Sequence, residues 1–177
     1  MTKLFLHKYL KSFTDIIDDQ QQTQSILEMS NILKKVKKKN KVMIFGNGGS
    51  AAIASHFSVD LTKNTNIKCL NLNEHSLITC FANDYGYENW IVKALDYHSD
   101  PGDMLILISS SGESKNMINA SIYANKNKLN LVTLTGFSNK NRLKKTGKIN
   151  FWVNSDKYNV IENIHQTILL SLVDYFL

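Results

Sequence analysis

After Asn40 the chain stops placing apolar residues at helical spacing and turns to short apolar runs, each followed by a helical segment. This alternation limits the fold more than any other feature. Val42-Met43-Ile44-Phe45, Ile67-Lys68-Cys69-Leu70, Met104–Ile108, Leu129–Leu134 and Ile149–Val153 read as strands. Helical patterns run from Ala51 to Leu61, near 75–97, 114–127 and 138–145, and near 159–176. Strands separated by helices pair in parallel, with helices on both faces. The expected fold is therefore a three-layer α/β domain around a five-stranded parallel sheet.

The first forty residues precede this pattern. Leu4, Leu6, Tyr9, Leu10, Phe13, Ile16 and Ile17 mark one helix, and Ile26, Leu27, Met29, Ile32, Leu33 and Val36 a second, with a polar break at Asp18-Asp19-Gln20-Gln21. This pair carries more apolar positions than one sheet edge needs. It either meets another subunit or forms a helical layer on its own sheet.

With 177 residues there is room for one domain with a substantial core. No repeat or low-complexity linker divides it, and Pro101 is the only proline. The longest apolar runs are too short to cross a bilayer. Residues Met1–Lys8 lack the apolar stretch of a secretory signal, so a cytoplasmic location is expected. The net charge of +6 gathers in Lys34-Lys35-Val36-Lys37-Lys38-Lys39, where a helix should end and where cations are favourable. No aromatic platform or zinc-finger spacing accompanies it, so nucleic acid is not the expected partner. Cys69 and Cys80, in apolar surroundings, read as buried reduced thiols.

Two loops suit an anion. Gly46-Asn47-Gly48-Gly49-Ser50 ends the first strand, where open parallel sheets bind ligands. Glycines admit a close backbone approach, although a tight turn with Ser50 as helix cap explains the loop almost as well. The third strand runs into Ser109-Ser110-Ser111-Gly112-Glu113-Ser114. One cap, such as Ser111, needs one hydroxyl, and four exceed what a turn requires. Together the loops favour a phosphate held without a charged side chain, and Glu113 must point away from it.

His56 and Asp60 share a helix face, as do Glu162 and His165. If both faces reach one cleft, they can bind a metal or move protons beside the phosphate. Asn83-Asp84 before Tyr85-Gly86-Tyr87 is a further candidate; a turn with a helix cap is its plainer reading.

Gly46–Ser50 with His56-Phe57, Asn83–Tyr87, Ser109–Ser114 and Leu134-Thr135-Gly136, in this order, resemble the flavodoxin-like sugar isomerase (SIS) fold. The chain is most similar to the phosphoheptose (sedoheptulose-7-phosphate) isomerases, over nearly its whole length. The resemblance implies one SIS domain over 1–177, with helices 1–40 at a subunit interface of a homotetramer. It implies interconversion of sedoheptulose 7-phosphate and D-glycero-D-manno-heptose 7-phosphate, toward lipopolysaccharide or capsule heptoses. Asn47, Gly48, Ser50, Ser109, Ser110, Ser111 and Ser114 would then contact the phosphorylated sugar at its phosphate, and Asp84 a sugar hydroxyl.

The same family carries a zinc set of His-x-x-x-Glu and, in the last helix, a Gln and a His eight apart. Here those positions are His56, Asp60, Glu162 and Leu170. Leu170 cannot bind metal, and His165, five residues before it, lies about 140° away around the helix. The implied zinc is weak or absent, held if at all by His56, Asp60 and Glu162. Asp60 or Glu162 is the expected base, with His56 or His165 assisting. The alternative is a non-catalytic SIS protein that senses a sugar phosphate or binds a protein partner.

Overall fold

Strands buried on both faces need side chains that are apolar in both directions, and Val42-Met43-Ile44-Phe45 and Met104–Ile108 supply them. The computed structural model describes residues 2–17 and 20–177. In chain order the elements are α1 (Lys3–Ile17), α2 (Gln20–Lys39), β1 (Val42–Gly46), α3 (Gly49–Thr65), β2 (Cys69–Leu70), α4 (His75–Tyr85), α5 (Trp90–His98), β3 (Met104–Ser109), α6 (Lys115–Lys126), β4 (Asn130–Thr135), β5 (Ile149–Trp152) and α7 (Tyr158–Tyr175). All strand pairs are parallel, in the order β2-β1-β3-β4-β5. Chain direction through the sheet reverses between β1 and β3, and ligands of such sheets sit at the carboxyl ends there.

The pleat sorts the core into two layers. Val42, Ile44, Ile106, Ile108, Val132 and Leu134 face α2, α3 and α7, where Met29, Leu33, Phe57, Ile161 and Leu169 are buried. Met43, Phe45, Leu105, Leu107 and Leu131 face α5 and α6, against Trp90, Leu95, Met117 and Ala124. At the opposite, amino end of the sheet, Lys41 Nζ lies 2.7 Å from the buried Asp103 carboxylate and ties β1 to β3. No helix among the described residues is long and apolar enough to cross a membrane.

Several local expectations change. The stretch 75–97 is two helices, because Gly86 (φ 84°) ends α4 in a conformation few other residues adopt. Residues 138–145 form turns rather than a helix: the Asn141 amide donates to the Ser138 and Gly136 carbonyls, and its oxygen accepts from Lys144 N–H. Such side-chain bonds compete with the helical ladder. β2 shortens to Cys69–Leu70. Cys69 is buried, which pushes its thiol pKa up, but Cys80 lies on the exposed side of α4 rather than in the core.

The break at Asp18-Asp19 lies outside the described residues, and Gln20 already belongs to α2. α2 ends in Lys37, Lys38 and Lys39, as the charge run suggests. It buries Met29, Leu33 and Val36, whereas α1 buries nothing and exposes Leu4, Phe5, Leu6 and Leu10.

Candidate functional site

β1 delivers the chain to Gly48, whose φ of 56° and ψ of −123° suit glycine alone. Gly48 stands at the cap position of α3, with no side-chain cap bond. Ser50, which a plain turn would use as that cap, instead sits inside the helix with its side chain buried. Gly49 is required for space, since a Cβ there would collide with the Glu162 carboxylate from α7. The Asn47 amide is held on both sides. It exchanges hydrogen bonds of 2.9 and 3.1 Å with the buried Asn116, and accepts one of 3.1 Å from the Tyr87 hydroxyl.

β3 delivers the serines. Ser114, not Ser111, is the cap residue of α6, and its hydroxyl makes no capping bond. It accepts from Ser109 Oγ at 3.2 Å, while Ser111 Oγ accepts from Glu113 N–H at 3.2 Å. Ser110 Oγ is buried without a partner. Glu113 turns away, its carboxylate accepting from Arg142 N–H at 2.9 Å. The loop is pinned from β4 by Gly136 N–H on the Ser110 carbonyl, 2.8 Å.

These residues surround a cavity of about 120 Å³ lined by Asn47, Ser50, Ser109, Ser110, Ser111, Ser114, Tyr158 and Glu162. It offers hydroxyls, an amide and the start of α6, whose dipole favours an anion. A second cavity of about 290 Å³ opens between α3 and α7, lined by Gly49, Ala52, Ile53, His56, Glu162, Asn163 and Gln166. Glu162 belongs to both. Burial pushes its carboxyl pKa up from the ordinary carboxylate value.

His56 Nε2 lies 3.1 Å from Asp60 Oδ2. A carboxylate only accepts, so Nε2 carries the hydrogen and leaves Nδ1 to accept from Gln166 Nε2, 3.4 Å away. Asp60 lines neither cavity. His165 is fully buried, with Nε2 3.1 Å from the Thr135 carbonyl and Nδ1 unpaired. Burial drives its pKa down to about 4, despite the opposing bond to Thr135. It reaches neither cavity and stands as a neutral core histidine. Asp84 also stays outside both, held by Asn83 Nδ2 at 2.9 Å near the end of α4.

The residues present do not form a metal set. His56 and Asp60 are bonded to each other, and Leu170 has no donor. Among the described residues no three His, Cys, Asp or Glu side chains gather closely enough to hold an ion. Sequence reasoning missed Asn116, Tyr158 and Gln166. The spacing of Tyr158 and Gln166 from Glu162, four residues either way, was the available signal.

A model of the SIS domain matches residues 8–136. A phosphoheptose isomerase of Fusobacterium nucleatum is 32% identical over 171 residues, covering 93% of this chain and 86% of that protein. One of Buchnera aphidicola from Acyrthosiphon pisum is 30% identical over 173 residues, covering 94% and 88%. Among solved structures, phosphoheptose isomerase GmhA from Neisseria gonorrhoeae superimposes with a TM-score of 0.87 at 24% identity, covering 98% of this chain and 96% of that one. The Francisella tularensis phosphoheptose isomerase gives 0.88 at 24% identity, covering 99% and 98%. At that identity the structures speak for the fold alone.

Proposed function

The chain belongs to the SIS-domain family, among the phosphoheptose isomerases, and on that premise we propose that it interconverts sedoheptulose 7-phosphate and D-glycero-D-manno-heptose 7-phosphate. The observation that carries the chemistry is Glu162, a carboxylate raised in pKa by burial and shared between a hydroxyl-lined cavity and a larger cleft. The serines and Asn47 hold the phosphate, with Ser50 and Gly48 shaping the near wall. The sugar chain then extends past Glu162 toward His56.

Glu162 takes a proton from the hydroxymethyl carbon beside the ketone, leaving an ene-diolate. The proton returns to the former carbonyl carbon, while a second proton passes between the two oxygens. His56, oriented by Asp60, lies in the same cleft to assist that second transfer. Asp60 acts through His56, and His165 supports α7 from the core. Asp84 remains a candidate for a sugar hydroxyl if a ligand draws α4 inward. No step is routed through zinc, because the donor set does not converge; any zinc on His56, Asp60 and Glu162 is weak in this reading.

The exposed Leu4, Phe5, Leu6 and Leu10 of α1 support an assembly in which the amino-terminal helices pack between subunits, a homotetramer by family likeness. The reading also places the protein in the cytoplasm, in a route to lipopolysaccharide or capsule heptoses. The test is NMR of the purified protein with sedoheptulose 7-phosphate, following aldose signals. Growth of those signals to equilibrium is expected. Saturable binding without turnover would instead establish a sugar-phosphate sensor.

A further inference from the structure

α7 presents Tyr158, Glu162 and Gln166 one turn apart on one face: Tyr158 lines the smaller cavity, Gln166 the larger one, and Glu162 both. Glu162 and Gln166 look into the larger cleft. Tyr158 stands at the phosphate end, opposite the serine loop, as the first residue of α7. The residue is 57% exposed, so its ring is positioned by neighbouring contacts rather than by burial.

Phe137 supplies such a contact. Its ring lies 4.8 Å from that of Tyr158, centroid to centroid. Its backbone has a φ of 50°, in the left-handed region that a phenylalanine rarely adopts. Two bonds impose this: Phe137 N–H to the Ser155 carbonyl at 2.9 Å, and Trp152 Nε1–H to the Phe137 carbonyl at 3.3 Å. Strain of this kind persists where the surroundings over-determine it, and it clusters at ligand clamps. Here it sets a ring under Tyr158, beside a cavity whose polar lining has hydroxyls, one amide and the Glu162 carboxylate but no cation. A dianionic phosphate there has a use for every neutral donor.

We propose that Tyr158 is a substrate-contacting residue: its phenol donates a hydrogen bond to the sugar phosphate and closes the cavity opposite the serines, with Phe137 as its positioning residue. This rests on the sugar-phosphate reading above and adds a contact made equally in ground and transition states. It therefore affects binding and not the chemical step.

The experiment measures KM and kcat for sedoheptulose 7-phosphate, and the affinity for inorganic phosphate by calorimetry, in the unmodified protein and in Tyr158→Phe and Phe137→Gly. Glycine accepts a φ of 50° without strain, so Phe137→Gly suits the backbone there while removing the supporting ring and its packing on the core, and folding is checked by circular dichroism. Losing a hydrogen bond to a charged group predicts that Tyr158→Phe raises KM and weakens phosphate binding about tenfold each, with kcat within twofold. Phe137→Gly shifts both in the same direction by a smaller factor. Unchanged phosphate affinity in Tyr158→Phe, or a fall in kcat at constant KM, overturns the assignment. If the unmodified protein turns over no phosphoheptose yet binds phosphate, the isomerase reading fails and the phosphate arm still decides Tyr158. If it binds no phosphate, both fall.

Discussion

At the amino ends of β1 and β3 a buried carboxylate has all it needs, whereas at their carboxyl ends a buried hydroxyl goes without. Asp103 Oδ1 accepts from Asn40 Nδ2 at 3.1 Å and Lys41 N–H at 3.0 Å. Its Oδ2 accepts from Asp100 N–H at 2.9 Å and pairs with Lys41 Nζ. Burial alone would raise its pKa, but these bonds hold it below the usual range. At the other end Ser110 Oγ, in the wall of the serine-lined cavity, is buried without a partner, and Glu162 is pushed upward by desolvation. Buried polar groups are normally satisfied, and one left open in the wall of a cavity is a place where a ligand can complete it. One end of this sheet serves stability and the other is prepared for something absent from the chain itself.

The sharpest way to break this comparison is Glu162→Gln. Removing a general base costs about 10²- to 10⁴-fold, so kcat should fall in that range while KM moves little. Stability should behave in the opposite way. A carboxyl whose folded pKa lies above its unfolded value binds more protons when folded, so stability declines as pH rises between the two values and is lowest above both. Glutamine removes that penalty, and the variant should be at least as stable as the parent at neutral pH in urea. A variant that keeps its kcat would remove Glu162 from the chemistry.

How much of this was legible beforehand follows from range. The strands and both anion loops are local patterns, with apolar runs, glycines and serines at fixed offsets, and they appear where expected. Helix caps are not legible in the same way: Ser50 and Ser111 hydroxyls suit a cap on paper, yet Gly48 and Ser114 hold those positions. The 138–145 turns depend on Asn141 reaching two carbonyls, which periodicity does not record. Glu162 and His165 share a helix face by spacing, yet a slightly different rotation puts one in the cleft and the other under β4. That distinction comes from packing against residues far away in sequence.

The next effect separates the two ends by acid. His165 is neutral when folded, with a pKa of about 4 against 6.5 when unfolded. The unfolded chain therefore binds more protons between these values. Stability is full above 6.5, falls as pH drops toward 4, and levels below. At about 1.4 kcal/mol per pH unit the loss is roughly 3 kcal/mol, near hundredfold in the folding equilibrium. Asp103, with a depressed pKa, gives stability that is present above the ordinary carboxylate pKa and lost as pH falls through its own lower value. Urea midpoints across pH should thus decline in two stages. His165→Leu removes the first; the Thr135 carbonyl keeps its bond from Val153 N–H at 2.8 Å, so the variant should fold. Asp103→Ala destabilises at neutral pH by about 3 kcal/mol: Lys41 Nζ keeps Asp100, but the Lys41 and Asp100 N–H groups and the Asn40 amide lose their buried acceptor. A single stage in the parent protein that His165→Leu leaves untouched would contradict the assignment of the upper window.

The smallest effect asks whether the serine hydroxyls at the carboxyl end are there for a phosphate. In Ser110→Ala with Ser114→Ala, one lost hydroxyl has no partner within the protein and the other only accepts from Ser109. Neither caps α6, so the fold loses almost nothing. Removing a buried unsatisfied group should even raise stability slightly. Binding has the reverse sign. Hydrogen bonds to a charged group are worth about 1.5–3 kcal/mol each, so affinity for sedoheptulose 7-phosphate should fall at least tenfold by calorimetry. The two readouts together distinguish a phosphate site from a polar turn. A turn predicts lost stability and no change in affinity, and that pairing of results would show that the two serines serve the loop rather than a binding site.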